Sequence, residues 1–122
     1  MRIQHLALKT NDLEGTYVFY TTILGCDDAK YDPEGGRIWL NFADGFTLIF
    51  DRSDEPLSPA TVQYLGLELE DFGAVDRMFQ KLVSHTLMGR DMRDLYSKAQ
   101  GPYGFFIRDP NGYQIKVFKY ND

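Results

Sequence analysis

At 122 residues, 43% hydrophobic and 25% charged, the chain has the size and composition of one folded domain, which excludes a disordered or fibrous class. A net charge of −5 without clustered Lys and Arg argues against wrapping a phosphate backbone, so nucleic acid is not an expected partner. No apolar run approaches membrane-spanning length, and Cys26 is the single cysteine, so a membrane role and an intrachain disulfide are both excluded.

The opening segment Ile3-Gln4-His5-Leu6-Ala7-Leu8 alternates as a strand does. Leu6 and Leu8 form an apolar row for the core, while His5, Ala7 and Lys9 share the other face. The strand begins at once, with no charged-plus-apolar leader, and together with the lone cysteine this predicts a cytoplasmic protein. A helix follows, capped among Thr10, Asn11 and Asp12. It is expected to bury Leu13, Tyr17, Tyr20 and Leu24 and to stop before Gly25, leaving Cys26 packed or half-exposed. Pro33 and Gly35-Gly36 punctuate the approach to the next strands, and Asp44-Gly45 is a strong hairpin signal. The strand leaving that hairpin sends Leu48 and Phe50 inward and Thr47, Ile49 and Asp51 to the other face.

The second half repeats this plan. Val62-Gln63-Tyr64-Leu65-Gly66-Leu67 aligns with the opening strand at an offset of 59 residues, and the same offset carries Asp12 onto Asp71 and Tyr20 onto Phe79. A second helix therefore starts near Asp71 and buries Phe72, Val75, Phe79 and Leu82. Asn111-Gly112 matches Asp44-Gly45 at an offset of 67, so the second copy carries 67 − 59 = 8 extra residues between its helix and its last hairpin. Gly101-Pro102 marks the approach to that hairpin, after which Ile115 and Val117 face the core and Gln114, Lys116 and Phe118 face away.

The pattern predicts a βαβββ unit twice, at about 1–52 and 61–122, in one α+β domain whose curved mixed sheets surround a concave face. Two short sheets with free edges also predict a homodimer. Whether the repeats pair within one chain or exchange across the dimer is open. The concave face is expected to collect His5, Tyr64, Glu68, Gln114 and Lys116 among small and apolar residues, as a small-molecule site does. A structural alternative has Lys116 paired with Glu68 and His5 satisfied in the interior by a neighbouring oxygen. An acid/base pair of His5 and Glu68 across the sheet is a further option. The other histidine, His85, has no metal-ligand spacing to His5, and neither Ser84 nor Ser97 lies in a nucleophile-elbow context.

These residues resemble the vicinal oxygen chelate proteins, which include glyoxalases, epimerases, extradiol dioxygenases, fosfomycin-modifying enzymes and bleomycin-binding resistance proteins. The marks are Ile3 to Leu8, Asn11-Asp12-Leu13, Phe19-Tyr20, Ile23-Leu24-Gly25 and Phe106-Ile107-Arg108-Asp109-Pro110-Asn111-Gly112-Tyr113-Gln114-Ile115, spread along the whole chain. The resemblance implies four metal-ligand positions, commonly His, Glu or Gln, His and Glu. Here they fall on His5, Ile49, Tyr64 and Lys116. Only His5 fits. Ile49 has no donor atom, Lys116 repels a cation, and Tyr64 ligates only as a phenolate. No metal cofactor is therefore expected, and the family's metal-dependent chemistry loses its Lewis acid.

The leading expectation is a protein that binds a small molecule in a cavity or dimer groove, as the metal-free antibiotic-binding branch does. Its site residues are His5, Ile49, Tyr64, Glu68, Gln114, Lys116 and Phe118, with Trp39 and Phe106 as further aromatic walls. The alternatives are a diverged lyase, isomerase or dioxygenase with an atypical metal site or metal-free acid/base chemistry, and an interaction protein whose cavity is filled by its own side chains.

Overall fold

A computed structural model describes residues 1–95 and 98–121 of the chain, which leaves Ser97 outside the described residues. The molecule divides into two compact units, Met1–Ser58 and Pro59–Asp122.

In the first unit, β1 (His5–Thr10) alternates as its sequence requires: Leu8 and Thr10 are buried, and His5, Ala7 and Lys9 are exposed. The Asp12 carboxylate accepts the Gly15 N–H at 2.9 Å and so caps α1 (Leu13–Val18). The helix continues into a wide turn, Phe19–Ile23, which brings both Phe19 and Tyr20 inward. This corrects the simple helical spacing. Tyr17 is only half-buried and stacks on Tyr31 with 4.5 Å between ring centroids, while Thr16 takes an inner place. Gly25, at φ 93°, ends the helix, and the Cys26 N–H donates to the Tyr20 carbonyl. Strands β2 (Ala29–Asp32), β3 (Arg37–Asn41) and β4 (Thr47–Arg52) complete a sheet of order β1-β4-β3-β2, with β1 and β4 parallel and the other pairs antiparallel. Ile38, Leu40, Leu48 and Phe50 form its buried side with Leu13, Phe19 and Tyr20.

The second unit repeats the order with β5 (Leu65–Glu68), α2 (Phe72–Leu82), β6 (Leu87–Asp91), β7 (Tyr103–Arg108) and β8 (Gln114–Lys119), arranged β5-β8-β7-β6. Asp71 caps α2 by accepting the Ala74 N–H at 2.7 Å. Val75 and Leu82 are buried; Phe72 and Phe79 are half-buried, in edge contact with Tyr103 and Phe105. Asp109 accepts the N–H groups of Asn111 and Tyr113, both at 2.9 Å, and so folds the β7–β8 turn. That gives the Arg108-Asp109-Pro110-Asn111-Gly112 signature a structural reason. The extra residues of the second copy fall mainly between β6 and β7, at 92–102 against 33–36 in the first.

Arg93 ties that longer connection to α2. Its guanidinium contacts Asp76 at 3.1 Å and Asp91 at 2.9 Å and lies 3.8 Å from the Phe79 ring centroid, while the Tyr103 hydroxyl donates to Asp76 at 2.6 Å. The Arg93 hydrogen bond holds the Asp91 carboxyl below the usual range. Burial, then the hydrogen bond to Asp76, pushes the Tyr103 phenol up to about 12. Tyr103 thus favours the folded state fully below pH about 10, its ordinary range, and loses that contribution as pH rises towards 12. The Asp91 contribution is present above the ordinary aspartate range and is lost in acid. Thermal unfolding should show Tyr103→Phe removing the alkaline loss between pH 10 and 12; a Tyr103→Phe profile that superimposes on wild type there would contradict this.

Candidate ligand-binding faces

In the first unit the open side of the sheet is set by register. His5 lies beside Thr47, Ala7 beside Ile49 and Lys9 beside Asp51, and β3 adds Asn41, Trp39 and Arg37 in the same rows. His5 is exposed, which corrects the interior alternative, although its neighbouring oxygen is real: Nδ1 lies 2.8 Å from Gln4 Oε1. Ile49 is 8% exposed, a hydrocarbon closing the middle of the face. Trp39 is not an open wall, because Lys30 Nζ lies 4.8 Å and the Arg37 guanidinium 5.6 Å from its ring centroid. Asp51 accepts from Arg37 at 2.6 Å and raises the Arg37 pKa. An open depression of about 530 Å³ runs past Lys9, Asp51, Arg52 and Glu55. Two of its charged side chains pair with each other, Lys9 with Glu55 at 3.8 Å, Asp51 pairs with Arg37, and Arg52 donates to the Pro33 carbonyl.

The second unit presents a different face. Lys116, in the middle of β8, lies opposite Gly66 on β5 and Phe106 on β7, and Phe118 lies opposite Glu68 and Gly104. Glycine at 66 leaves room for the Phe118 ring: a Cβ there would stand 3.1 Å from Phe118 Cε1. Lys116 Nζ is 4.9 Å from the Phe118 ring centroid, 5.6 Å from Tyr64 and 5.7 Å from Tyr120. The rings brace one another, Tyr64 on Phe106 at 5.3 Å and Phe118 on Tyr120 at 5.5 Å. Tyr64 and Tyr120 are each 42% exposed, so the group is open to solvent. Gln114 is held by donating to the Gln63 carbonyl at 3.2 Å.

The alternative pairing of Lys116 with Glu68 does not form. Glu68 contacts Lys119 at 3.5 Å, and among the described residues no carboxylate lies within ion-pair distance of Lys116. Register explains this: Glu68 sits opposite Phe118, two residue pairs beyond the Gly66–Lys116 pair. The structure thus gathers Tyr64, Gln114, Lys116 and Phe118 on one face of the second sheet with Glu68 at its end, and places His5 and Ile49 on the first sheet. Sequence reasoning missed Tyr120, Lys119 and Gln4. Tyr120 continues the 116, 118, 120 alternation and was within reach of the same argument.

A family metal does not fit these residues. Ile49 is hydrocarbon, Lys116 is a cation already facing three rings, and among the described residues no three His, Cys, Asp or Glu side chains are grouped to hold an ion.

The model of the Glyoxalase/Bleomycin resistance protein/Dioxygenase superfamily matches residues 2–117, and the chain belongs to that family. Among solved structures, a glyoxalase/bleomycin resistance protein/dioxygenase from Alicyclobacillus acidocaldarius is 26% identical, with 99% of this chain and 92% of that one covered at a TM-score of 0.75. A possible glyoxalase from Bacillus cereus is 24% identical over 97% of this chain and 98% of that one, at 0.76. A fosfomycin resistance protein from Listeria monocytogenes, solved with Mn(II) and 1S,2S-dihydroxypropylphosphonic acid, is 13% identical over 98% and 90%, at 0.78. No curated protein matches the sequence.

Proposed function

We propose that this family member binds a small anionic molecule without a divalent metal, using Lys116 as a fixed positive charge where metal-using relatives carry a ligand. The observation that carries this reading is the Lys116 ammonium set among Tyr64, Phe118 and Tyr120 on an open face, with no carboxylate at ion-pair distance among the described residues. Rings satisfy an ammonium only in part, since they offer no lone pair to its three N–H donors. An arriving carboxylate or phosphonate completes those hydrogen bonds, and the aromatic walls cover its apolar portion. The Listeria protein was solved with both Mn(II) and a phosphonic acid; here the lysine supplies the positive charge for an anionic group of that kind. We place the protein in the cytoplasm as a homodimer, because a sequence with a single cysteine builds no disulfide framework within the chain and each sheet has free edges.

A ligand-observed NMR screen on chelator-treated protein tests the reading, using benzoate, phenylphosphonate and phenylacetate against benzamide and benzyl alcohol. The anions should bind and the neutral compounds of similar shape should not. Equal binding of both sets, or none by any anion, would overturn it.

A further inference from the structure

Gln4, just ahead of β1, decides which nitrogen of His5 carries the proton. Its Nε2 lies 3.2 Å from the Gly45 carbonyl oxygen and 3.5 Å from Thr47 Oγ1. A carbonyl only accepts, so the amide NH₂ must face it and Oε1 must turn the other way. The Thr47 hydroxyl gives its own proton to Asn41 Oδ1 at 3.0 Å, which leaves a lone pair for Gln4 and agrees with that orientation. Oε1 is then the atom 2.8 Å from His5 Nδ1. Because an amide oxygen cannot donate, Nδ1 must be the N–H. A neutral imidazole carries one proton, so Nε2 keeps its lone pair, on a side chain exposed to solvent.

We propose that Gln4 is a positioning residue that locks His5 in the Nδ1–H tautomer, so that the open face of the first unit offers Nε2 as an acceptor to a hydroxyl or N–H group of a small molecule. This stands on contacts separate from those of Lys116. An unconstrained imidazole in water favours the opposite, Nε2–H, form, which makes the tautomer diagnostic.

The test is long-range ¹H–¹⁵N correlation on ¹⁵N-histidine protein carrying His85→Asn, at alkaline pH. His5 should be mainly Nδ1–H. Gln4→Met should return the majority to Nε2–H, and Gln4→Glu, which keeps an accepting oxygen, should retain Nδ1–H. Phenol, added as an O–H donor, should shift the Nε2 resonance of the parent protein and not that of the Gln4→Met variant. A parent that is mainly Nε2–H, a Gln4→Met spectrum that matches the parent, or a phenol response independent of Gln4 would each overturn the proposal.

Discussion

Gly104→Ala should destabilise the protein by roughly 3 kcal/mol or more, at the upper end of what overpacking costs. Gly104 is buried in β7 opposite Phe118, and a Cβ there would stand 2.8 Å from both Cα and Cβ of Phe118 while colliding with the Val117 carbonyl oxygen. Those atoms are backbone or next to it, so relief requires β7 and β8 to separate. Gly66→Ala is the control. Its Cβ would meet only the ring edge of Phe118 at 3.1 Å, and a ring can swing aside. That variant should keep near-normal stability, within about 1 kcal/mol, while moving a wall of the Lys116 group. Denaturant unfolding of the two variants decides the matter, and equal stabilities would contradict the strand packing described.

The second expectation separates charge from structure at Lys116. Lys116→Met should fold with stability within about 1 kcal/mol of wild type and lose ten- to hundredfold in affinity for a small anion. A cation–π contact at an exposed site contributes about 0.5–1 kcal/mol, and a thioether against aromatic rings recovers about 0.3–1.5. The balance is therefore near zero. The affinity loss follows from removing hydrogen bonds between charged groups, each about 1.5–3 kcal/mol. A buried ion pair with Glu68 would have made the substitution far more damaging, but the Glu68 side chain is 50% exposed and engaged by Lys119. Thermal unfolding and calorimetric titration together check both halves of the statement.

The repeat, the βαβββ order and the faces of the strands were legible because they follow from local rules. Alternation put Leu8, Leu48, Phe50, Ile115 and Val117 inside and His5 and Tyr64 outside, as found, with Lys116 half-buried on the same face as Tyr64. The helix caps Asp12 and Asp71 and the turns at Asp44-Gly45 and Asn111-Gly112 were equally local. Contacts across strands were not legible, because they depend on register and side-chain reach. Glu68 met Lys119 rather than Lys116 for that reason, and Trp39 was claimed by Lys30 and Arg37. The wide turn at Phe19–Ile23 departs from the helical period and left Tyr17 half-buried. The Gln4–His5 contact joins sequence neighbours that an ideal strand would point apart; Gln4 stands just before the strand begins.

The central claim is that anion binding depends on Lys116 and not on a divalent ion. Its most direct test is calorimetric titration of phenylphosphonate into chelator-treated wild-type protein, repeated after addition of Mn(II) or Zn(II). The same affinity is predicted in both conditions. Binding that is absent in chelator and appears with the added ion would contradict the account.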